Sequence, residues 1–108
     1  MRTLIATFAL AALALGAQVT AHAQAAPEAA MTKAGCTACH TKDKRIVGPS
    51  YKEIAAKYKG QATAVTNLMS KARSGGKGVF GPIPMPPNTP DKISDADLKA
   101  AVEWILKQ

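Results

Sequence analysis

Apolar positions in this chain form one short block and then a series of stripes at helical spacing. The block runs from Leu4 to Leu15 and is broken only by Thr7. After it, Met31 and Ala34 share one face behind Pro27, with Ala29 and Ala30 adding helix propensity. Tyr51, Ile54, Ala55 and Tyr58 make a second stripe. Ala64, Leu68 and Ala72 recur every four residues, with Val65 and Met69 beside them. Leu98, Ala101, Trp104 and Ile105 make the last stripe, flanked by Val102. No stretch alternates with period two and no segment repeats. The pattern predicts an all-α fold of about four short helices.

Local signals set the ends of these helices. Pro27 suits a first helical turn and Glu28 suits the positive end of the helix dipole. Gly35 either ends this helix or permits a close approach. Ser50-Tyr51-Lys52-Glu53 has the S-x-x-E form of a capping box and opens a helix to about Tyr58 or Lys59, stopping near Gly60. A third helix is expected from about Ala62 to Arg73, closed by Ser74-Gly75-Gly76-Lys77-Gly78. Ser94 is a natural N-cap for the last helix, Asp95 and Asp97 complement its dipole, and Ile93 and Leu98 can staple across the cap. That helix is expected to reach about Lys107. Between Val79 and Thr89 the sequence VFGPIPMPPNT restricts most φ angles and predicts a stiff, extended loop.

The leading apolar block changes the domain count. Arg2, the run Leu4 to Leu15, Gly16, a polar stretch and Ala21-His22-Ala23 have the order of a secretory signal peptide. Cleavage is expected after Ala23, with a second A-x-A site allowing a start at Ala26. The run is too short for the roughly 20 residues of a spanning helix. Residues 1–23 are thus expected to be removed, leaving a single domain at 24–108, exported to the periplasm without stable membrane insertion. The whole chain has a formal charge of +7. Losing the leader removes one basic residue and no acid. Nucleic acid is a poor partner for an exported chain with no basic-aromatic interleaving. An acidic protein surface suits it better.

Chemistry concentrates at Cys36-Thr37-Ala38-Cys39-His40, the C-x-x-C-H arrangement of c-type haem attachment. Two cysteines three apart on a helical turn face the same way, and the histidine follows one step round. Two thiols can then add to the vinyl groups of one porphyrin, with the imidazole held as an axial ligand. A redox dithiol normally sits in a βαβ setting, which the pattern lacks. A structural zinc site wants four ligands, and the mature chain has only two cysteines and one histidine. A short-loop disulfide between Cys36 and Cys39 remains as an alternative. A chain this small has a marginal core. A buried macrocycle would serve as its apolar centre.

His22 leaves with the leader, so His40 has no second histidine to share an iron with. Met85 lies in the stiff loop between Pro84 and Pro86, where it fills no helical stripe. Its soft thioether reads as the second axial ligand, whereas Met31 adjoins the attachment site and Met69 is mid-helix. Pro49 reads equally as a turn residue and as a carbonyl acceptor that fixes the His40 tautomer.

Taken in order, C-x-x-C-H, Val47-Gly48-Pro49-Ser50-Tyr51, Gly81-Pro82-Ile83-Pro84-Met85-Pro86-Pro87-Asn88 and a last helix bearing Trp104 resemble a short bacterial class I cytochrome c of the c-551 type. The likeness spans the whole mature chain. It implies helices wrapped around one covalently bound haem c, with terminal helices crossing near Gly35. It implies His40 and Met85 as axial iron ligands, Pro49 bonded to His40, and electron transfer through an exposed haem edge. Members of this type carry a tryptophan where this chain has Phe80, bonding a haem propionate. They carry an arginine where it has Lys71. Phe80 has no donor, and a lysine lacks the planar fork, so these two positions depart from the pattern.

The implied function is a soluble one-electron carrier between respiratory redox proteins, acting as a monomer and not as an enzyme. A small haem peroxidase or gas sensor would instead need an open sixth site, and a thiol or metal module would carry no haem. One apolar pocket is expected to gather Cys36, Cys39, His40, Pro49, Leu68, Phe80 and Met85, with Leu4 to Leu15 packed against none of them. Thr37, Ala38, Ile46, Val47, Ile83 and Pro86 are expected at the exposed edge. Lys42, Lys44, Lys71, Lys77 and Lys92 are expected around it.

Overall fold

A computed structural model describes residues 26–108. The expected leader, its cleavage point and the packing of Leu4 to Leu15 lie outside the described residues. Helix α1 is Pro27–Lys33, α2 is Tyr51–Tyr58, α3 is Ala64–Ser74 and α4 is Asp95–Ile105. A 3₁₀ turn, Cys36–Ala38, separates α1 from the loop before α2. Extended pairing among the described residues is limited to two isolated bridges, His40 with Arg45 and Gly76 with Met85.

The helix ends follow local chemistry closely where a cap exists. Ser50 Oγ accepts from the Glu53 N–H at 3.1 Å, and Glu53 Oε2 accepts from the Ser50 N–H at 2.7 Å. This reciprocal pair satisfies two donors that the first turn of α2 would otherwise leave open. Ser94 Oγ accepts from the Asp97 N–H at 3.1 Å and starts α4 in the same way. Helix α3 starts two residues later than expected, at Ala64, behind Thr63, which makes no side-chain cap. Without a capping oxygen, the preceding residues take up turns. Helix α4 ends at Ile105 and the chain continues as a turn.

Gly35 settles as a helix end. Its φ is +87°, a left-handed conformation that favours glycine, and a Cβ there would meet nothing within 4 Å. No neighbouring helix comes close enough to require glycine here; the backbone angle does. The turn it makes also means that the two cysteines stand on a tight 3₁₀ turn rather than on an extension of α1.

Helix α1 packs against α4, which also contacts α3 and α2. Ala30 and Met31 from α1 meet Tyr51, Ile54 and Tyr58 from α2 and Leu98, Ala101 and Val102 from α4 in one buried cluster. Ala64 and Ile93 complete it, while Leu68, Met69, Ala72, Phe80 and Trp104 pack on it half-buried. Met69 is thus a packing residue, as its helical position predicts. Trp104 meets Tyr51 edge-on, with ring centroids 5.5 Å apart at 81°. The stripes legible in the sequence are the faces buried here. They leave open one side of the cluster, between the 3₁₀ turn, α3 and the proline-rich loop.

Candidate functional site: an apolar cavity with two thiols, an imidazole and a thioether

That open side is a cavity of about 450 Å³. Cys36, Cys39, His40, Pro49, Leu68, Lys71, Phe80 and Met85 all line it. The expected residues are therefore brought together, including the two positions that depart from the c-551 pattern. The size is within the roughly 300–1,000 Å³ typical of ligand sites. Its wall also takes in core side chains such as Ile54, Leu98 and Val102.

His40 is held from several directions. Its backbone N–H donates to the Cys36 carbonyl at 3.0 Å, closing the turn that carries the cysteines. Its Nδ1 lies 2.7 Å from the Pro49 carbonyl oxygen. A carbonyl can only accept, so Nδ1 carries a ring proton, and in the neutral imidazole the lone pair is on Nε2. Gly48 makes this placement possible. A Cβ on Gly48 would come within 2.7 Å of His40 Cε1, closer than real contacts allow. The Tyr51 ring lies nearly parallel to the imidazole, with centroids 6.0 Å apart at 25°.

Cys36 and Cys39 are free and half-buried. No disulfide joins them in this structure. Burial pushes the Cys36 thiol up from its usual range, with the Cys39 thiol adding to the shift. A raised pKa keeps Cys36 as thiol and slows its oxidation. No cluster of three or more His, Cys, Asp or Glu side chains suited to a metal ion occurs among the described residues. The zinc alternative has no support there.

Met85 comes from the opposite part of the sequence and lines the same cavity. Its backbone pairs with Gly76 in both directions, at 2.8 and 3.0 Å. Gly75 backs this pairing with φ +69°, and a Cβ there would collide with the Met85 carbonyl oxygen. Beyond Met85 the loop is pinned by Asn88. Its N–H and Nδ2 both donate to the Ala72 carbonyl, at 2.9 and 3.1 Å. Nδ2 also donates to the Pro86 carbonyl at 3.3 Å, and Arg73 Nη1 donates to the Asn88 carbonyl at 3.0 Å.

Phe80 lines the wall half-buried, and Lys57 Nζ sits 5.6 Å from its ring centroid. Lys57 belongs to the solvent side of α2, but its stem reaches back to this loop.

Several functional neighbours escaped the sequence pattern. Asn88 and Gly48 entered only as members of longer motifs, with no role of their own. Tyr51 passed as core alone, although it stacks on His40. Its hydroxyl is buried and has no hydrogen-bond partner. Such an orphan costs about 1–3 kcal/mol in a finished core, so its place on the cavity wall suits a site completed by a bound group. Burial pushes the Tyr51 hydroxyl pKa up, with Cys36 and Glu28 adding to the shift.

Helices packed around a cavity that offers two thiols, a tautomer-fixed imidazole and a thioether define an all-α cofactor protein. Residues 24–108 match the cytochrome c family. The chain is 52% identical over 83 residues to cytochrome c2 of Rubrivivax gelatinosus, covering 77% of this chain and 98% of that one. It is 46% identical over 102 residues to cytochrome c-552 of Nitrosomonas europaea, covering 94% of this chain and 92% of that one. A crystal structure of Nitrosomonas europaea cytochrome c552 superimposes with a TM-score of 0.69 at 46% identity, over 74% of this chain and 96% of that one. The chain belongs to the cytochrome c family and has the class I all-α fold. The family's cofactor is covalently bound haem c, and its members carry electrons. The free thiol pair, the fixed imidazole, the orphaned Tyr51 hydroxyl and the apolar wall all fit that cofactor.

Proposed function

We propose that this chain is a soluble, monomeric, periplasmic one-electron carrier, released from a leader at residues 1–23 and serving respiratory redox proteins. Cys36 and Cys39 would hold the haem covalently, and His40 and Met85 would ligate its iron. The observation that carries this reading is that one cavity takes in both thiols, His40 and Met85, while the Nδ1 bond to Pro49 leaves His40 Nε2 as the free donor. Haem c, when bound, supplies a metal centre that gains and loses one electron.

The chain's own residues tune that exchange. Pro49 keeps the imidazole proton on Nδ1 and fixes the plane of the ring. Met85 offers a neutral, polarisable sulfur, which favours the reduced metal and raises the potential. Prolines 82, 84, 86 and 87 limit backbone movement around Met85, so its contacts can persist in both oxidation states. Lys71 places a positive charge on the wall and Phe80 an apolar face. With Phe80 in place of an indole, Lys71 is the nearer match to a propionate partner, acting as a point charge. No helix among the described residues is long and apolar enough to cross a membrane. Filled axial positions distinguish this reading from a peroxidase or gas sensor.

Exchange with partners has a natural place. Ile46, Val47 and Ile83 are exposed where the sequence anticipated the edge, and Val79 joins them. Thr37, Ala38 and Pro86 are exposed as well. Lys42, Lys44, Lys71, Lys77 and Lys92 are exposed on the segments that border this edge. An apolar patch makes a short-lived contact, and a basic rim steers an acidic partner toward it. Stopped-flow exchange between the holoprotein and an acidic redox partner tests this. The rate is expected to fall roughly tenfold between low and high salt. Lys77→Glu is expected to slow it several-fold more than Lys107→Glu. Equal effects from the two reversals would mean that net charge alone governs association.

A further inference from the structure

Between Gly76 and Met85 the loop makes a long excursion. Val79, Gly81, Pro82, Ile83 and Pro84 are all exposed along it. Gly76, Gly78 and Gly81 have φ of 140°, 100° and 129°, angles that a side chain disfavours, so the turns before the proline-bearing part rest on glycine. Its internal bond runs from the Gly78 N–H to the Gly81 carbonyl at 2.8 Å. Among the described residues, one hydrogen bond ties residues 77–84 to another segment. Arg45 Nη1 donates to the Phe80 carbonyl at 2.8 Å.

Arg45 is itself anchored. Its Nε and Nη2 both donate to Glu53 Oε1, at 3.1 and 2.9 Å. The other oxygen of Glu53 accepts from the Ser50 N–H in the capping box. Ser50 follows Pro49, whose carbonyl holds His40. The Arg45 backbone also forms the isolated bridge with His40. One guanidinium thus connects the Phe80 carbonyl to the backbone that orients the imidazole. The planar fork lets it serve two acceptors at once. The Ser50 N–H and the Arg45 guanidinium hold the Glu53 carboxyl below the usual carboxylate range, so it stays ionised at neutral pH.

The segment from Phe80 to Met85 is Gly81-Pro82-Ile83-Pro84. Its two prolines stiffen the path from the anchored carbonyl to the thioether. We propose that Arg45 is a positioning residue: by clasping the Phe80 carbonyl to Glu53 it holds Met85 in place relative to His40. This rests on Met85 being the sixth ligand.

The test uses ferric holoprotein and the rate at which excess imidazole displaces Met85. Arg45→Gln is expected to raise that rate roughly tenfold, the size of losing one charge-assisted hydrogen bond from the closed loop. Arg45→Lys, which keeps the charge but not the fork, should fall between. Lys52→Gln is the control. It makes the same charge change and breaks a comparably exposed ion pair, Lys52 with Asp43 at 2.5 Å, that does not touch the loop. Its rate should equal that of the unsubstituted protein. No acceleration in Arg45→Gln, or equal acceleration in Lys52→Gln, overturns the proposal. Amide exchange at Gly78 and Met85 reads the anchor itself. Faster exchange in Arg45→Gln without faster displacement shows that the anchor does not govern Met85 and overturns the proposal, while Met85→Ala, by its spectrum, tells separately whether Met85 is the ligand. Unchanged exchange removes the role of Arg45 whichever ligand the iron takes.

Discussion

Met85→Ala is expected to leave the haem joined to the chain, lower its reduction potential on the order of 0.1 V and let carbon monoxide bind the reduced form. The size is a modest part of the roughly 0.8 V range over which axial ligands set haem potentials. The reasoning separates attachment from ligation. In the proposed reading attachment rests on Cys36 and Cys39, on a turn closed by the His40 N–H and the Cys36 carbonyl. Met85 approaches from a loop with its own supports: the Gly76 pairing, Asn88 on the Ala72 carbonyl and Arg45 on the Phe80 carbonyl. Truncating Met85 disturbs none of those bonds. What is lost is the soft sulfur that favours the reduced metal. Voltammetry and carbon monoxide difference spectra read the two consequences. An unchanged potential with no carbon monoxide binding would place the sixth ligand elsewhere.

The second large effect concerns the fold itself. Cys36→Ala combined with Cys39→Ala is expected to leave no haem on the chain after denaturing electrophoresis. The chain freed of haem is expected to lose most of its helical signal. Helices of 7, 8, 11 and 11 residues are too short to persist alone. Left unfilled, a cavity of about 450 Å³ costs on the order of 10 kcal/mol at about 24 cal/mol per Å³. The cavity is partly open, which makes that figure an upper bound. Cofactor and core are therefore one structure. Circular dichroism of the double variant decides this, and cooperative unfolding of a helical, haem-free chain would contradict it.

How much of this was legible in the sequence depended on range. Ser50 and Glu53 lie three apart and announce their box directly, and Ser94 announces the last helix. The C-x-x-C-H motif carries its chemistry within five residues. Helix α3 was placed two residues early because its start lacks a capping side chain and its boundary is set by turns. Gly35 offered two readings, and only its backbone angle, not its sequence, shows that it ends the helix. The long-range supports had no local signal. Arg45 and Phe80 are 35 residues apart, and nothing in a charged loop says that one arginine reaches a distant carbonyl. The Arg73 contacts to Asn88, Ile93 and Asp95 are of the same kind. The place of Met85 on the cavity wall was legible for the opposite reason. A methionine among prolines fits no helical stripe, so its place in the chain already asked for another role.

Proton NMR of the reduced, diamagnetic holoprotein reads the position of Met85 most directly. A methyl group held over the face of a porphyrin lies in its ring current and resonates far upfield of an ordinary methionine. One methionine methyl is expected in that region, assigned to Met85 and absent from Met85→Ala, with the methyls of Met31 and Met69 at ordinary positions. A spectrum with every methionine methyl at its ordinary position, or an upfield methyl belonging to Met31 or Met69, would contradict the ligation proposed for this chain.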